Sequence, residues 1–324
     1  MTEEKLLEIF SKFNKTKVLV IGDSILDIYI SGPANRISPE APVLIVQKES
    51  VSYKAGGAAN VAMNLSVLGA KTTLITSANQ NDENGKILLE ILSNGGIVAV
   101  TGNENHTITK TRIVSSNQQI VRVDDEKEKE HYEFHFGDNE IEYLKQNILD
   151  NDIVILSDYN KGVINQKLID IISDFCIKNG KFIALDPKPS NKISFKNLDL
   201  ITPNLKEAQE LIGGNFSTQE LFVRLDDRFN SKNTVITLGS DGLGFYKKNS
   251  DYLNFPPFTQ EVFDVCGAGD TAISVLSLML GNKYAIEESA QITNIACGVV
   301  VGKHGTATVS QKEILDMVIS SKKV

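Results

Sequence analysis

The segment Asp264-Val265-Cys266-Gly267-Ala268-Gly269-Asp270-Thr271 runs straight into the apolar stretch AISVLSLML. Glycines at such spacing let the backbone approach a ligand closely with its N–H groups turned outward. A helix that starts there adds the positive end of its dipole. Loop and helix together would form an anion hole suited to a phosphoryl group in transit. A carboxylate inside that hole repels phosphate and is a poor choice for binding alone. Asp270 makes sense as the base that takes a proton from an attacking hydroxyl. The plainer alternative is a glycine-rich helix start, with Asp270 only complementing the dipole.

Four further groups follow the same logic. In Lys54-Ala55-Gly56-Gly57-Ala58-Ala59-Asn60-Val61-Ala62 a glycine pair opens a small-residue helix with Asn60 in its first turn; close packing of helix on sheet is the alternative. In Gly22-Asp23 … Asp27, Asp27 stands where the chain leaves a strand, so its carboxylate could accept hydrogen bonds from sugar hydroxyls. A simple Asx turn would look the same. Thr202-Pro203-Asn204-Leu205-Lys206-Glu207 puts oxygen ligands on a first helical turn, where Asn204 and Glu207 could hold Mg²⁺ through water. The same two residues fit a capping box, and the local sequence does not separate the readings. In Thr237-Leu238-Gly239-Ser240-Asp241-Gly242 a strand ends in a glycine turn that could underlie a nucleotide's phosphates or be a plain hairpin.

These residues need a frame. KVLVIG at 17–22 is a β-branched apolar run ended by glycine, as a buried parallel strand should be. Similar runs occur at 72–76, 152–158, 181–186, 198–202 and 233–239, with helical patterns at 58–68, 84–93 and 168–178 between them. That alternation predicts an α/β fold, a parallel sheet with helices on both faces. Two stretches break it. Residues 28–53 carry Pro33, Pro39, Pro42 and the run VLIVQ; residues 106–123 alternate around Ser115-Ser116-Asn117. Together they predict a small β-sheet flap over the carboxyl ends of the strands, within one domain spanning 1–324. The charged run Asp124–Glu130 reads as a solvated loop.

Composition narrows the function. The chain has 324 residues, 41% hydrophobic and 23% charged, a net charge of −8 and a pI of about 5.2. That suits a globular protein and disfavours a nucleic-acid binder. No stretch reaches the roughly 18–20 apolar residues of a membrane span, and the start MTEEKLLEIF does not read as a signal peptide. Three distant cysteines, Cys176, Cys266 and Cys297, read as reduced thiols of a cytoplasmic protein. His131 and His135 are four apart without an apparent third metal ligand. Neither GxxxxGK[ST] nor GxGxxG after the first strand occurs, against P-loop NTPases and dinucleotide dehydrogenases.

Taken in order, the five groups resemble the ribokinase (PfkB) family of sugar kinases over about Val18 to Val309. Within it, RISPEAPV at 36–43, TKTR at 109–112, QQIVR at 118–122, SDYNKG at 157–162, DPK at 186–188 and GKHGTA at 302–307 are similar to the D-β-D-heptose 7-phosphate kinases. The resemblance implies a ribokinase-like fold, ATP as co-substrate, Mg²⁺, and a sugar phosphate phosphorylated on its anomeric oxygen on the route to ADP-heptose. A monovalent cation is a further candidate cofactor. It implies Asp270 as catalytic base and the Gly267, Ala268 and Gly269 amides as the anion hole. Sugar contacts would come from Asp27, Gly56, Gly57 and Asn60, and nucleotide contacts from Asn204, Leu205, Lys206, Glu207, Thr237, Gly239, Gly242 and Asp264. Lys110, Arg112, Arg122, Lys161 and Lys188 are cations that could hold the substrate's distal phosphate. Val265 departs from the family's usual Thr, though its backbone can still serve. The chain carries no HxGH motif, so the stand-alone kinase is expected rather than a fusion to an adenylyltransferase. A homodimer through the flap, with VLIVQ as its apolar face, is the expected assembly. Another sugar or nucleoside kinase, or a non-catalytic binding protein on this fold, are the competing readings.

Overall fold

A computed structural model describes residues 1–101, 106–116, 118–133, 138–248, 250–258 and 262–321. The chain opens with α1 (Glu3–Phe13), β1 (Lys17–Gly22), β2 (Ser24–Ser31), β3 (Arg36–Ile37), β4 (Leu44–Ile45) and β5 (Ser50–Gly57). Then come α2 (Ala58–Val67), β6 (Lys71–Thr76), α3 (Glu83–Asn94), β7 (Val98–Thr101), β8 (Thr109–Ser115) and β9 (Gln118–Asp125). The middle holds α4 (Asp138–Asp150), β10 (Ile153–Ser157), α5 (Gln166–Lys178), β11 (Phe182–Asp186), β12 (Leu200–Ile201), α6 (Leu205–Ile212) and α7 (Thr218–Phe229). It ends with β13 (Asn233–Thr237), β14 (Leu243–Lys247), β15 (Tyr252–Phe255), α8 (Ala268–Gly281), α9 (Ile286–Val301) and α10 (Gln311–Ser321).

The central sheet has nine strands in the order β15-β14-β13-β12-β11-β10-β1-β6-β7. Pairing is parallel from β7 across to β13 and antiparallel for β14 and β15. β1 shows why both faces are covered. Val18 and Val20 point into a core shared with α1, α2, α8 and α9, while Leu19 and Ile21 point into one shared with α4, α5 and α7. Period-two alternation of apolar side chains buried on either side is what a parallel strand between two helix layers requires. From β1 the chain moves to β6 and β7 on one side, then returns to β10 and onward on the other. The carboxyl ends of β1 and β10 therefore flank a topological switch point, where open α/β sheets form their ligand crevice. No helix among the described residues is long and apolar enough to cross a membrane.

The flap is a four-stranded sheet, β5-β2-β8-β9, with β2 antiparallel to β5 and parallel to β8. Its bounds differ from the expected 28–53 and 106–123. β2 begins at Ser24, directly beyond the first sheet strand, and β9 runs to Asp125. VLIVQ is not part of it: only Leu44–Ile45 is extended, paired with Arg36–Ile37 in a separate ribbon. Pro39 and Pro42 inside that ribbon's turn deny it the N–H groups a longer ladder needs. The expected strands at 198–202 and 233–239 shorten to Leu200–Ile201 and Asn233–Thr237. The run from Asp124 is exposed throughout, as expected of a solvated loop, but its first two residues belong to a strand. Asp124 and Asp125 end β9, where they take Arg122 and His106, and Glu126 pairs with Lys161. Of the turn at 115–117, Asn117 lies outside the described residues, as does His135.

Candidate active site

α8 starts at the expected place. Gly267 caps it with φ 82°, a left-handed conformation that a residue with a Cβ resists, and a Cβ there would lie 2.9 Å from Asn60 Nδ2. At Gly269 a Cβ would meet nothing within 4 Å, so the head of the helix opens onto free space. Asp270, in the first turn, is only 4% exposed. Asn60 Nδ2 donates to its Oδ2 at 2.6 Å and Tyr159 Oη donates to its Oδ1 at 2.7 Å. Burial pushes the carboxyl up to about 6; the two donors pull it back, and Asp27 adds to the rise. An acid near 6, ionised at neutral pH and held by two donors, has the character of a general base.

Asn60 is itself fixed. Asn64, one turn along α2, donates to the Asn60 carbonyl at 2.9 Å, and the Thr271 hydroxyl donates to Asn64 Oδ1 at 3.1 Å. Asp27, 3% exposed in β2, pairs with Arg112 on β8 at 2.5 Å and accepts from the Thr306 hydroxyl at 3.3 Å. Gly56 is required beside it: a Cβ would sit 2.5 Å from Asp27 Oδ2. Tyr29 lies under Arg112 and Lys54, with the guanidinium carbon 5.3 Å and the Lys54 nitrogen 5.4 Å from its ring centre. Lys54 also donates to the His304 carbonyl at 2.5 Å. Asp264 braces this side, accepting from the Cys266 and Gly305 N–H groups at 3.0 Å each. Burial opposes its ionisation, but those donors outweigh it and hold the carboxyl below its usual range.

Of the expected five cations, Lys110, Arg112, Arg122 and Lys161 neighbour one another around the flap, while Lys188 stands at α6. Arg112 and Lys110 lie beside Asp27 in the flap. Arg122 faces Arg112 across the ladder but turns to Asp124, at 2.8 and 3.0 Å. Lys161 pairs with Glu126 at 2.5 Å, and Lys188 with Glu207 at 3.2 Å. Lys110 has no ion pair within 4 Å among the described residues; burial lowers its pKa, with Asp124 and Asp27 pulling the other way.

At α6 the capping box is present. Asn204 Oδ1 accepts the Glu207 N–H at 2.9 Å and Glu207 Oε2 accepts the Asn204 N–H at 3.1 Å. Leu205 is part-exposed, and Lys206 reaches 86% side-chain exposure beside Glu210. The turn from β13 to β14 is a tight connection of antiparallel strands, with Gly239 at φ 60° and Gly242 at φ 86°. Thr237 bridges to Asn204 and donates its N–H to the Pro203 carbonyl, so this turn and the head of α6 are neighbours. Burial, then Glu207 and Asp270, push Asp186 at the end of β11 well above the usual carboxylate range.

Sequence reasoning passed over Tyr159, Asp23, Asp186, Lys54 and Thr306. Tyr159 lies inside the stretch SDYNKG, but no spacing rule aims its hydroxyl at a residue 111 positions away. No group of three metal-binding side chains of the His, Cys, Asp or Glu type occurs among the described residues. A cavity of about 400 Å³ between residues 255–258, α9, Met1 and Val318 of α10 is lined by none of the site residues above.

Residues 15–313 match the family model described as pfkB family carbohydrate kinase. The chain is 36% identical over 313 residues to the Bifunctional protein HldE of Campylobacter curvus, covering 94% of this chain and 66% of that protein. It is 39% identical over 311 residues to the Bifunctional protein HldE of Sulfurimonas denitrificans, covering 92% and 63%. It thus spans a little under two thirds of the length of these relatives. The fold is that of Escherichia coli phosphofructokinase-2 crystallised with substrates and products, at a TM-score of 0.76 and 19% identity over 94% of this chain and 99% of that one. It is also that of Thermotoga maritima ribokinase, at 0.71 and 20% over 94% and 99%. The chain belongs to the pfkB family of carbohydrate kinases.

Proposed function

We propose that this kinase transfers the γ-phosphoryl group of ATP to the anomeric hydroxyl of D-glycero-β-D-manno-heptose 7-phosphate, giving the 1,7-bisphosphate of the ADP-heptose route. The observation that carries the reading is Asp270, buried with both oxygens held and facing the open head of α8. The likeness to two HldE proteins and the motifs shared with heptose 7-phosphate kinases favour this acceptor over other sugars.

Asp27 would receive the sugar's hydroxyls and Asp270 would take the proton of the attacking one. The Gly267, Ala268 and Gly269 amides and the dipole of α8 would stabilise charge on the phosphoryl oxygens. The residues at α6 suit Mg²⁺ in kind: Glu207 stands close enough to Asp186 for its charge to raise that carboxyl beyond the effect of burial, while Lys188 pairs with Glu207. Asn204 and Glu207 would hold the ion through water, and when bound it supplies neutralisation of the triphosphate charge. Asn204, Leu205, Lys206, Glu207, Thr237, Gly239, Gly242 and Asp264 would border the nucleotide. Lys110 and Arg112, nearest Asp27, are the leading partners of the distal phosphate, ahead of Arg122, Lys161 and Lys188.

An ATP-consuming step of this kind would run in the cytoplasm. A homodimer would form through the flap; its edge strand β9 exposes Ile120, Val121 and Val123, and VLIVQ exposes Val43 and Leu44, so both offer apolar contact surface. The test is ADP release from ATP and Mg²⁺ with a panel of sugars and sugar phosphates, with and without potassium. Heptose 7-phosphate should be the best acceptor. Equal rates with free and phosphorylated sugars would overturn the substrate assignment.

A further inference from the structure

We propose that Tyr159 is a positioning residue of the phosphoryl transfer, holding the Asp270 carboxylate in its ionised, proton-accepting orientation, and that Asp23 aims it. The inference rests on Asp270 being the base.

Tyr159 follows β10 in a loop that is over-determined. Asp23, fully buried, accepts the N–H groups of Tyr159 and Lys161 on Oδ2 and of Val163 on Oδ1, all at 3.0 Å. That forces alternate N–H groups of the loop to converge on one carboxylate, and the residues between take unusual backbone angles: Asn160 has φ 58° and Gly162 φ 126°. A Cβ at Gly162 would collide with the Lys129 carbonyl, so the segment leading away from the flap clamps the loop from outside. From this fixed loop the Tyr159 side chain points inward, where its hydroxyl meets Asp270 Oδ1. Asp23 also serves the second donor. Its carbonyl accepts the Ala58 N–H at 3.0 Å, fixing the start of α2 two residues before Asn60. One buried residue after β1 thus sets both groups that grip the base.

The groups facing Asp270 are Asn60 from α2, Tyr159 from the loop after β10, Asp27 from β2 and Asp186 from β11. Burial and Asp27 disfavour a negative charge on Asp270, the two neutral donors favour it, and Asp270 in turn pushes Asp186 up. Burial and the neighbouring Asp270 keep the Tyr159 hydroxyl protonated far above neutral pH, so it can only donate to an ionised partner. Without that donation the carboxylate binds its proton more tightly, and the base is already protonated when the sugar arrives.

The test is the pH profile of kcat/KM for Tyr159→Phe, which keeps the ring and removes the hydroxyl. A charged hydrogen bond of ordinary strength predicts that the rising acid limb moves up by about one to two pH units. Activity should therefore fall about 10- to 100-fold below the limb and return toward wild type above it, with KM for ATP unchanged. Asp23→Asn should move the limb in the same direction by less. An unmoved limb in Tyr159→Phe, or a loss equal at all pH values, overturns the inference. A shifted limb in Tyr159→Phe with an unshifted one in Asp23→Asn removes Asp23 from it. If Asp270→Asn keeps wild-type turnover, the base assignment itself falls; if Asp270→Asn is inactive and the Tyr159→Phe limb stays put, only this inference does.

Discussion

At the head of α8, Asp270 draws its hydrogen bonds from Asn60 and Tyr159, 210 and 111 positions away in the chain. At the head of α6, Asn204 and Glu207 satisfy each other across three positions. Both sites use a helix start, where free N–H groups and the dipole attract negative charge. The α6 arrangement forms whenever that helix forms and stabilises it. The α8 arrangement exists only once three distant elements have packed, and it buries a carboxyl whose pKa rises as a result. A group whose proton affinity goes up on folding works against the native state once it ionises. The contrast sets a helix start that stabilises itself locally against one whose buried carboxyl costs stability to hold ionised.

The sharpest way to break the contrast is Asp270→Asn. Asn keeps the shape and loses the base, so turnover should fall by ~10²–10⁴-fold while ATP and sugar still bind. Steady-state rates together with ligand titrations measure both. Wild-type turnover would reduce the head of α8 to a second structural cap.

The same variant tests the energetic half. Below an unfolded-state carboxyl pKa of 3.8 the native protonated form costs nothing extra. As pH rises through about 6 the native carboxyl must ionise while buried, and stability is lost. The gap between the two values corresponds to about 3 kcal/mol. Asp270→Asn should therefore be more stable than wild type at about pH 8, with the advantage shrinking toward about pH 4. Denaturant unfolding at both pH values decides; a pH-independent difference would mean the buried charge is not what burdens this corner.

How much of each site the sequence discloses follows from the same contrast. The capping box is legible because its partners are three residues apart, and the glycines of 56–57, 267 and 269 are legible because close approach demands them. The order of motifs was enough to place Asp270, Asn60 and Asp27 at one crevice. Tyr159, Asp23 and Asp186 were silent because each acts through a contact made only by the packed sheet, at the ends of β10, β1 and β11. The β1, β6, β10 and β11 strands announced themselves as apolar runs buried on both faces. The flap's limits did not: β9 is exposed along its whole length, so burial leaves no pattern there, and VLIVQ carries strand-like residues just after Pro39 and Pro42, of which only Leu44–Ile45 pairs, in a separate ribbon.

A smaller effect sharpens the acceptor side. Lys110 lies next to Asp27 in register and has no ion pair among the described residues, whereas Arg122, Lys161 and Lys188 are each committed to a carboxylate. A charged hydrogen bond to the distal phosphate would be worth ~1.5–3 kcal/mol. Lys110→Ala should then cut the preference for a phosphorylated over a free sugar by about 10- to 100-fold, leaving KM for ATP alone. An unchanged preference would pass the role to Arg112, which would have to leave Asp27 to perform it.

The smallest expected effect falls at α6. If Glu207 is only a cap, Glu207→Ala should lower stability by ~0.5–2 kcal/mol and leave the Mg²⁺ dependence of the rate as it was. The geometry gives Glu207 more to do than cap. One oxygen closes the box at α6 while the other meets Lys188, and its charge presses on Asp186. Removing it should therefore also raise the Mg²⁺ concentration needed for half-maximal rate. Glu207→Gln divides the two roles, because its amide oxygen can still accept the Asn204 N–H but brings no charge. A Gln variant with wild-type melting and a raised Mg²⁺ requirement would show a cap recruited to the metal. A Gln variant that matches wild type in both leaves α6 as the purely structural member of the pair.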